Sequence, residues 1–238
     1  MISGLQRVRE VLKWEGLGYA LWRAGKKLLS PVCQWRISYL YQADLLQPIP
    51  EVRAQSGVEV KIYHGACSAE TVKEQLYWTG AITHQTITER LRSGDVVAIA
   101  CVEGLVAGFS WLAFSSLYVN EFDMVLHLGP DEAAQYNSYV APEWRGRAIH
   151  RLLHAKTFEL ARERGRVRTF TWVQAINKAS IKTQLRLGKQ RVMTLVFARL
   201  RGTPWVWKTA FGTPLHERFR PNPVRKGQAF ILSPSVCD

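Results

Sequence analysis

The residues whose types and spacing most clearly suit chemistry run Tyr139-Val140-Ala141-Pro142-Glu143-Trp144-Arg145-Gly146-Arg147-Ala148-Ile149-His150-Arg151. The stretch up to Val140 suits a strand, Pro142 stops it, and the apolar periodicity from Ile149 predicts a helix. Small residues at Gly146 and Ala148 let main-chain N–H groups approach a ligand, and the helix dipole places partial positive charge at the same point. Arg145, Arg147 and Arg151 add full charges, so the guest that fits is a pyrophosphate. A plain strand-to-helix turn with its arginines in water has the same composition, and a glycine turn alone does not decide between the two. The wider charge distribution favours an anion. From Arg145 to Arg191 there are thirteen Lys or Arg and two carboxylates, Glu159 and Glu163. Such a run is most often a solvated face, but here it surrounds the glycine turn.

The segment resembles motif A of the GNAT N-acyltransferase superfamily, V-x-P-x-x-R-G-x-G-I-G. Val140, Pro142, Arg145, Gly146 and Ile149 match, and Ala148 is a permitted substitute for glycine. His150 departs from the family's Gly or Ala, so its ring either crowds the turn or lends it an N–H. The family's second signature, N-x-x-[AS] followed by an aromatic and G-F, has its counterpart in Asn177, Ser180 and Gly188. The resemblance implies an acyl-CoA co-substrate, acetyl-CoA or another, and a mixed α/β sheet that splays beside the strand ending at Val140. It implies that the pantetheine arm pairs with the backbone of Tyr139 and Val140. The amides from Arg145 through Gly146, Arg147, Ala148, Ile149 and His150 to Arg151 then hold the pyrophosphate. Asn177 and Ser180 lie along the arm.

Two positions depart from the family where catalysis is concerned. A tyrosine that commonly serves as general acid for the departing thiolate is replaced by Gln184, which donates a hydrogen bond but delivers no proton. Lys189 stands in place of the usual Phe. Transfer to an amine also needs that amine neutral. Glu121 ranks first as the base, ahead of Asp123 and His127, although a strand-end polar residue is the commoner role of each.

Other chemistries are less well supported. His150 and His154 have an i, i+4 spacing that suits zinc, but Arg151 occupies the place of a zincin's glutamate and no third ligand is evident, so no metal is assigned. There is no G-x-S-x-G elbow. Arg162, Arg164, Arg166 and Arg168, followed by Phe170 and Trp172, have the interleaving of a nucleic-acid surface. No nucleic-acid module accompanies them, and cofactor phosphate accounts for the same charge.

The surrounding elements read as alternating strands and helices. Strands are expected at 58–63, 96–102, 105–114, 122–128, 135–140, 169–173 and 191–200, and helices at 68–78, 86–92, 149–164 and from Asn177 to Gly188. Thr86-Ile87-Thr88-Glu89 reads as a capping box. The expected organisation is an N-terminal basic and aromatic helical extension (1–55), a GNAT domain of mixed α/β class (56–201) and a C-terminal tail (202–238). The formal charge of +13 and pI of about 9.9 point to an acidic partner. Beyond CoA, that partner could be an acyl-carrier protein acting as donor, or a membrane surface met by residues 1–30. The four cysteines form no C-x-x-C pair, so a cytoplasmic location, with peripheral membrane contact as a variant, is the expectation. The expected function is acyl transfer to a small-molecule or lipid-linked amine by direct attack in a ternary complex. Long-chain transfer from acyl-carrier protein and a non-catalytic CoA-binding role are the alternatives.

Overall fold

The structure is a computed structural model that describes residues 33–52, 57–76, 79, 82–119, 124–200, 203–210 and 219–221. Strands β1 (Cys33–Asp44), β2 (Val58–His64), β3 (Val96–Val102) and β4 (Leu105–Ala113) are joined by β7 (Glu132–Val140), β8 (Arg168–Gln174), β9 (Gln190–Leu200) and β10 (Thr203–Ala210). These eight form one sheet in the order β10-β9-β1-β8-β7-β4-β3-β2. A second sheet has the order β11-β6-β5, with β5 at Ser116–Val119, β6 at Met124–His127 and β11 at Phe219–Pro221. The helices are α1 (Ala69–Leu76), α2 (His84–Arg92), α3 (Ile149–Glu163) and α4 (Lys178–Arg186).

Alternation along β3 shows why the main sheet is covered on both faces. Val97, Ile99 and Cys101 pack with Val72 and Leu76 of α1 and Ile87 and Leu91 of α2. Ala98, Ala100 and Val102 pack with Ile149 and Leu153 of α3. The small residues on the α3 side let that helix lie close to the sheet.

The expected boundary at residue 55 does not hold over the described part of the N-terminal segment. Cys33–Asp44, read in the sequence as part of a helical extension, is a strand inserted between β8 and β9. Its Ile37, Tyr39 and Tyr41 carry the strand preference that the basic residues around them obscured. Residues 1–32, with the expected membrane-contacting helix, lie outside the described residues, and among those described no helix is long and apolar enough to cross a membrane. Among the described residues the tail contributes two strands, β10 and β11. The capping box at Thr86 is also displaced. The N-cap of α2 is Thr83, whose hydroxyl accepts from the Thr86 N–H.

Candidate functional site: a forked sheet and the start of a helix

Strands β7 and β8 run parallel but pair only at Glu132–Arg168, Ala133–Thr169 and Ala134–Phe170. Beyond Ala134 they part. Each limb is held by its outer neighbour, β7 by β4 as far as Val140 and β8 by β1 as far as Gln174. At the closed end Arg168 bridges Asp131 at 2.7 Å and Glu132 at 3.3 Å. Asn137, with φ +45°, lies opposite the register shift between Phe109 and Trp111, which makes a bulge that turns the free end of β7. Gly108 allows β4 to follow it, since a Cβ there would lie 2.5 Å from the Tyr139 carbonyl oxygen.

The chain leaves β7 through a short turn at Pro142–Trp144 and enters α3. Gly146 (φ +83°) and Ala148 (φ +62°) both adopt left-handed backbone on either side of Arg147. Ala148 is the N-cap and offers no side-chain acceptor, and the first helical bond is Leu152 N–H to the Ala148 carbonyl at 3.0 Å. The amides of Ile149, His150 and Arg151 therefore have no partner within the helix and none from a capping side chain. Arg145 folds back so that its Nε donates to the Val140 carbonyl at 3.2 Å. The Arg147 guanidinium stacks over Trp144, 4.7 Å from the ring centroid.

Asn177 caps α4, its Oδ1 accepting from the Ser180 N–H at 2.9 Å. These two residues are thus joined as a helix cap beyond the end of β8. Gln184 is buried, at 1% exposure, with its Oε1 unpartnered. Glu121 and Asp123 lie outside the described residues.

What the sequence reading missed is a polar cluster at the vertex of the fork. Lys189, only 2% exposed, donates to Gln135 Oε1 at 2.5 Å and to Thr171 Oγ1 at 2.7 Å. Its Nζ also lies 4.9 Å from the centroid of Phe158. Gln135 and Thr171 are the first residues beyond the last paired positions, so the lysine spans the fork where the backbone ladder stops. On the α3 side Gln135 Oε1 lies 2.8 Å from His154 Nδ1, and His154 Nε2 lies 3.0 Å from His150 Nε2. The two imidazoles meet edge to face, and Ser138 Oγ lies 3.2 Å from His154 Nε2. Among the described residues no three His, Cys, Asp or Glu are grouped to hold a metal.

This environment disfavours charge. Burial lowers the Lys189 pKa well below the usual lysine value. Burial, then the charges of His150 and Lys189, lower that of His154. His150 is pushed down to about 4 by burial and then by Lys189. On the opposite face of β7, Tyr136 donates to Asp95 Oδ2, and Arg90 lies 4.7 Å from the Tyr136 ring. Burial raises Asp95 to about 6, partly offset by the Tyr136 hydrogen bond and Arg90. No spacing rule joins Gln135, Thr171 and Lys189, or Asp95 and Tyr136, because each set is drawn from distant parts of the chain.

No protein-family model and no curated protein matches the chain. Solved structures do resemble it. A tandem GNAT protein from the clavulanic acid biosynthesis pathway aligns with a TM-score of 0.50 at 16% identity, over 79% of this chain and 71% of that one. A GCN5-related N-acetyltransferase from Sphaerobacter thermophilus gives 0.50 at 16% identity, over 76% of this chain and 57% of its own. A Drosophila protein gives 0.48 at 16% identity, with 59% of its length covered. The chain thus spans from 57% to 71% of the length of these three structures.

Proposed function

We propose that this chain, whose fold is that of the GNAT acyltransferases, transfers an acyl group from acyl-CoA to an amine. The observation that carries this reading is the parting of β7 from β8 after Ala134, immediately before a helix start with uncapped amides. An extended pantetheine arm fits the fork by pairing with main-chain groups near Tyr139 and Val140, and the pyrophosphate fits the amides between Arg145 and Arg151. The Asn177–Ser180 cap stands beyond the other limb. The fold and the motif support this reading together, since a fold by itself does not specify a reaction.

In the proposed reaction the amine nitrogen attacks the thioester carbonyl within a ternary complex. The carbon–nitrogen bond forms, the carbon–sulfur bond breaks, the amine's proton goes to a base or water, and the thiolate leaves as CoA. A main-chain N–H near Val140 stabilises the oxyanion. Gln184 provides no proton, so the thiolate leaves unprotonated or takes one from solvent. Acetyl-CoA is the simplest donor, because polar side chains fill the vertex where a long acyl chain would extend.

The test is calorimetric titration with CoA and acetyl-CoA. We expect saturable binding, weakened at least about tenfold in Gly146→Glu, where a side chain must adopt φ +83° and a carboxylate meets the pyrophosphate. Equal affinity in a folded variant would remove the assignment of the turn.

A further inference from the structure

The polar cluster at the fork determines which nitrogen of His150 carries a proton. A carbonyl oxygen only accepts, and the Gln135 amide nitrogen lies 3.1 Å from the His154 carbonyl. The amide is therefore oriented with Oε1 toward Lys189, Thr171 and His154, an orientation the Lys189 Nζ donor reinforces. His154 must then carry its proton on Nδ1 to donate to that oxygen, which leaves Nε2 bare. A bare Nε2 at 3.0 Å from His150 Nε2 requires the proton there to be on His150. In neutral His150 the remaining nitrogen, Nδ1, has only a lone pair.

Resting on the acyl-CoA reading above, we propose that His150 binds the cofactor's pyrophosphate by taking up a proton at Nδ1, and that His154, Gln135 and Lys189 are the positioning residues that hold its tautomer. A lone pair facing a phosphate oxygen repels it, whereas the protonated ring donates a charged hydrogen bond.

In the empty protein His150 is neutral at pH 7, with a pKa of about 4. Facing it are His154 from its own helix, Ser138 through His154, and Lys189 from the turn before β9. Arg145, Arg147 and Arg151 flank it in the chain. A bound dianion reverses the balance and raises the pKa. The group binds more protons in the complex than in the free protein, so affinity rises as pH falls through the bound pKa. It levels off near pH 4, where the free protein is already protonated.

The experiment is calorimetry with dephospho-CoA, whose pyrophosphate diester has no titrating proton near neutrality, in buffers of unlike ionisation enthalpy. At pH 6 the wild type is expected to take up about half a proton or more per ligand, with several-fold tighter binding than at pH 7.5. His150→Gln is expected to bind with no uptake and a flat pH profile. Gln135→Leu alone strands the lysine, so the positioning role is tested in the double variant Gln135→Leu/Lys189→Met, which replaces the polar pair by an apolar one. There His154 is free to change tautomer, His150 can present a neutral Nδ1–H, and uptake is expected to fall although binding persists. Binding by the wild type without proton uptake would overturn the proposal, as would unchanged uptake in His150→Gln. Unchanged uptake in the double variant would overturn the positioning role. Absence of binding at every pH would instead remove the acyl-CoA reading and this inference with it.

Discussion

At the scale of single residues, several side chains have duties that their positions in the sequence do not suggest. Arg162 donates to the Gln47 carbonyl at 2.8 Å, Arg164 and Arg166 lie against the Phe114 ring, and Arg168 holds the closed end of the fork. The arginines that resembled a nucleic-acid stripe are each engaged within the chain. Ala148 occupies left-handed backbone at a modest cost, about 1 kcal/mol or somewhat more for a residue with a Cβ. Ala148→Gly should therefore raise stability by roughly 0.5–1 kcal/mol, after allowance for glycine's greater freedom when unfolded, and leave CoA binding intact. Denaturant unfolding of both proteins measures it. Asp95 makes a second prediction. Its folded pKa of about 6 lies above the ordinary carboxylate value of 3.8, so the folded protein holds the proton more tightly than the unfolded chain. Stability from this group is complete at low pH and is lost as pH rises from near 4 through 6. Between pH 4 and 7.5, Asp95→Asn should gain roughly 2 kcal/mol relative to the wild type, read from unfolding curves at the two pH values. A constant difference would show that Asp95 does not titrate as described.

At the scale of elements, the fork depends on how closely β4 and β7 approach. A Cβ at position 108 would press on the Tyr139 carbonyl and, at 3.2 Å, on the Val140 Cα. Backbone cannot step aside as a flexible side chain can. Gly108→Ala should destabilise by about 1–3 kcal/mol and, on the proposed acyl-CoA reading, weaken CoA binding as well, because the strand end proposed to pair with the pantetheine arm shifts with it. Unfolding and calorimetry on the same preparation separate the two effects. Unaltered stability would mean that the two strands yield more readily than packed backbone should.

At the scale of the whole molecule, β1 binds distant parts of the chain into one sheet. It pairs with β8 from Ser38 to Asp44 and with β9 from Cys33 to Gln42, so it supports the outer side of one limb of the fork. A helical extension could be removed with little loss, but a strand inside a sheet cannot. Truncation before Leu45 leaves β8 and β9 each with an unpaired edge and removes Leu40 and Tyr41, which are buried in the core. The truncated chain should show no cooperative unfolding transition by circular dichroism. A cooperative transition would show that the sheet closes without β1.

The limits of the sequence follow from the range of the forces involved. Local signals were sufficient for the helix from Ile149, the cap at Asn177, the strand ending at Val140 and the turn between them. Each depends on backbone preference, side-chain periodicity or a cap within a few residues. The resemblance rested on the same contiguous segments, and it led to the splay that the β7–β8 pairing displays. What tertiary structure alone decided was the company that polar residues keep. In sequence Lys189 is only a departure from the family's Phe after Gly188, and Gln135 only the first residue of an expected strand. Gln135 and Thr171 meet because β7 and β8 are neighbours and their ladder stops at Ala134, Lys189 reaches both from the turn between α4 and β9, and α3 covers that face with His154. Hydrogen-bond direction then carries the consequence to His150, through contacts between residues far apart along the chain. The place of β1 has the same origin. A strand's neighbours are chosen by which edges remain unpaired once the rest of the sheet has formed, and no local pattern in Cys33–Asp44 records that choice.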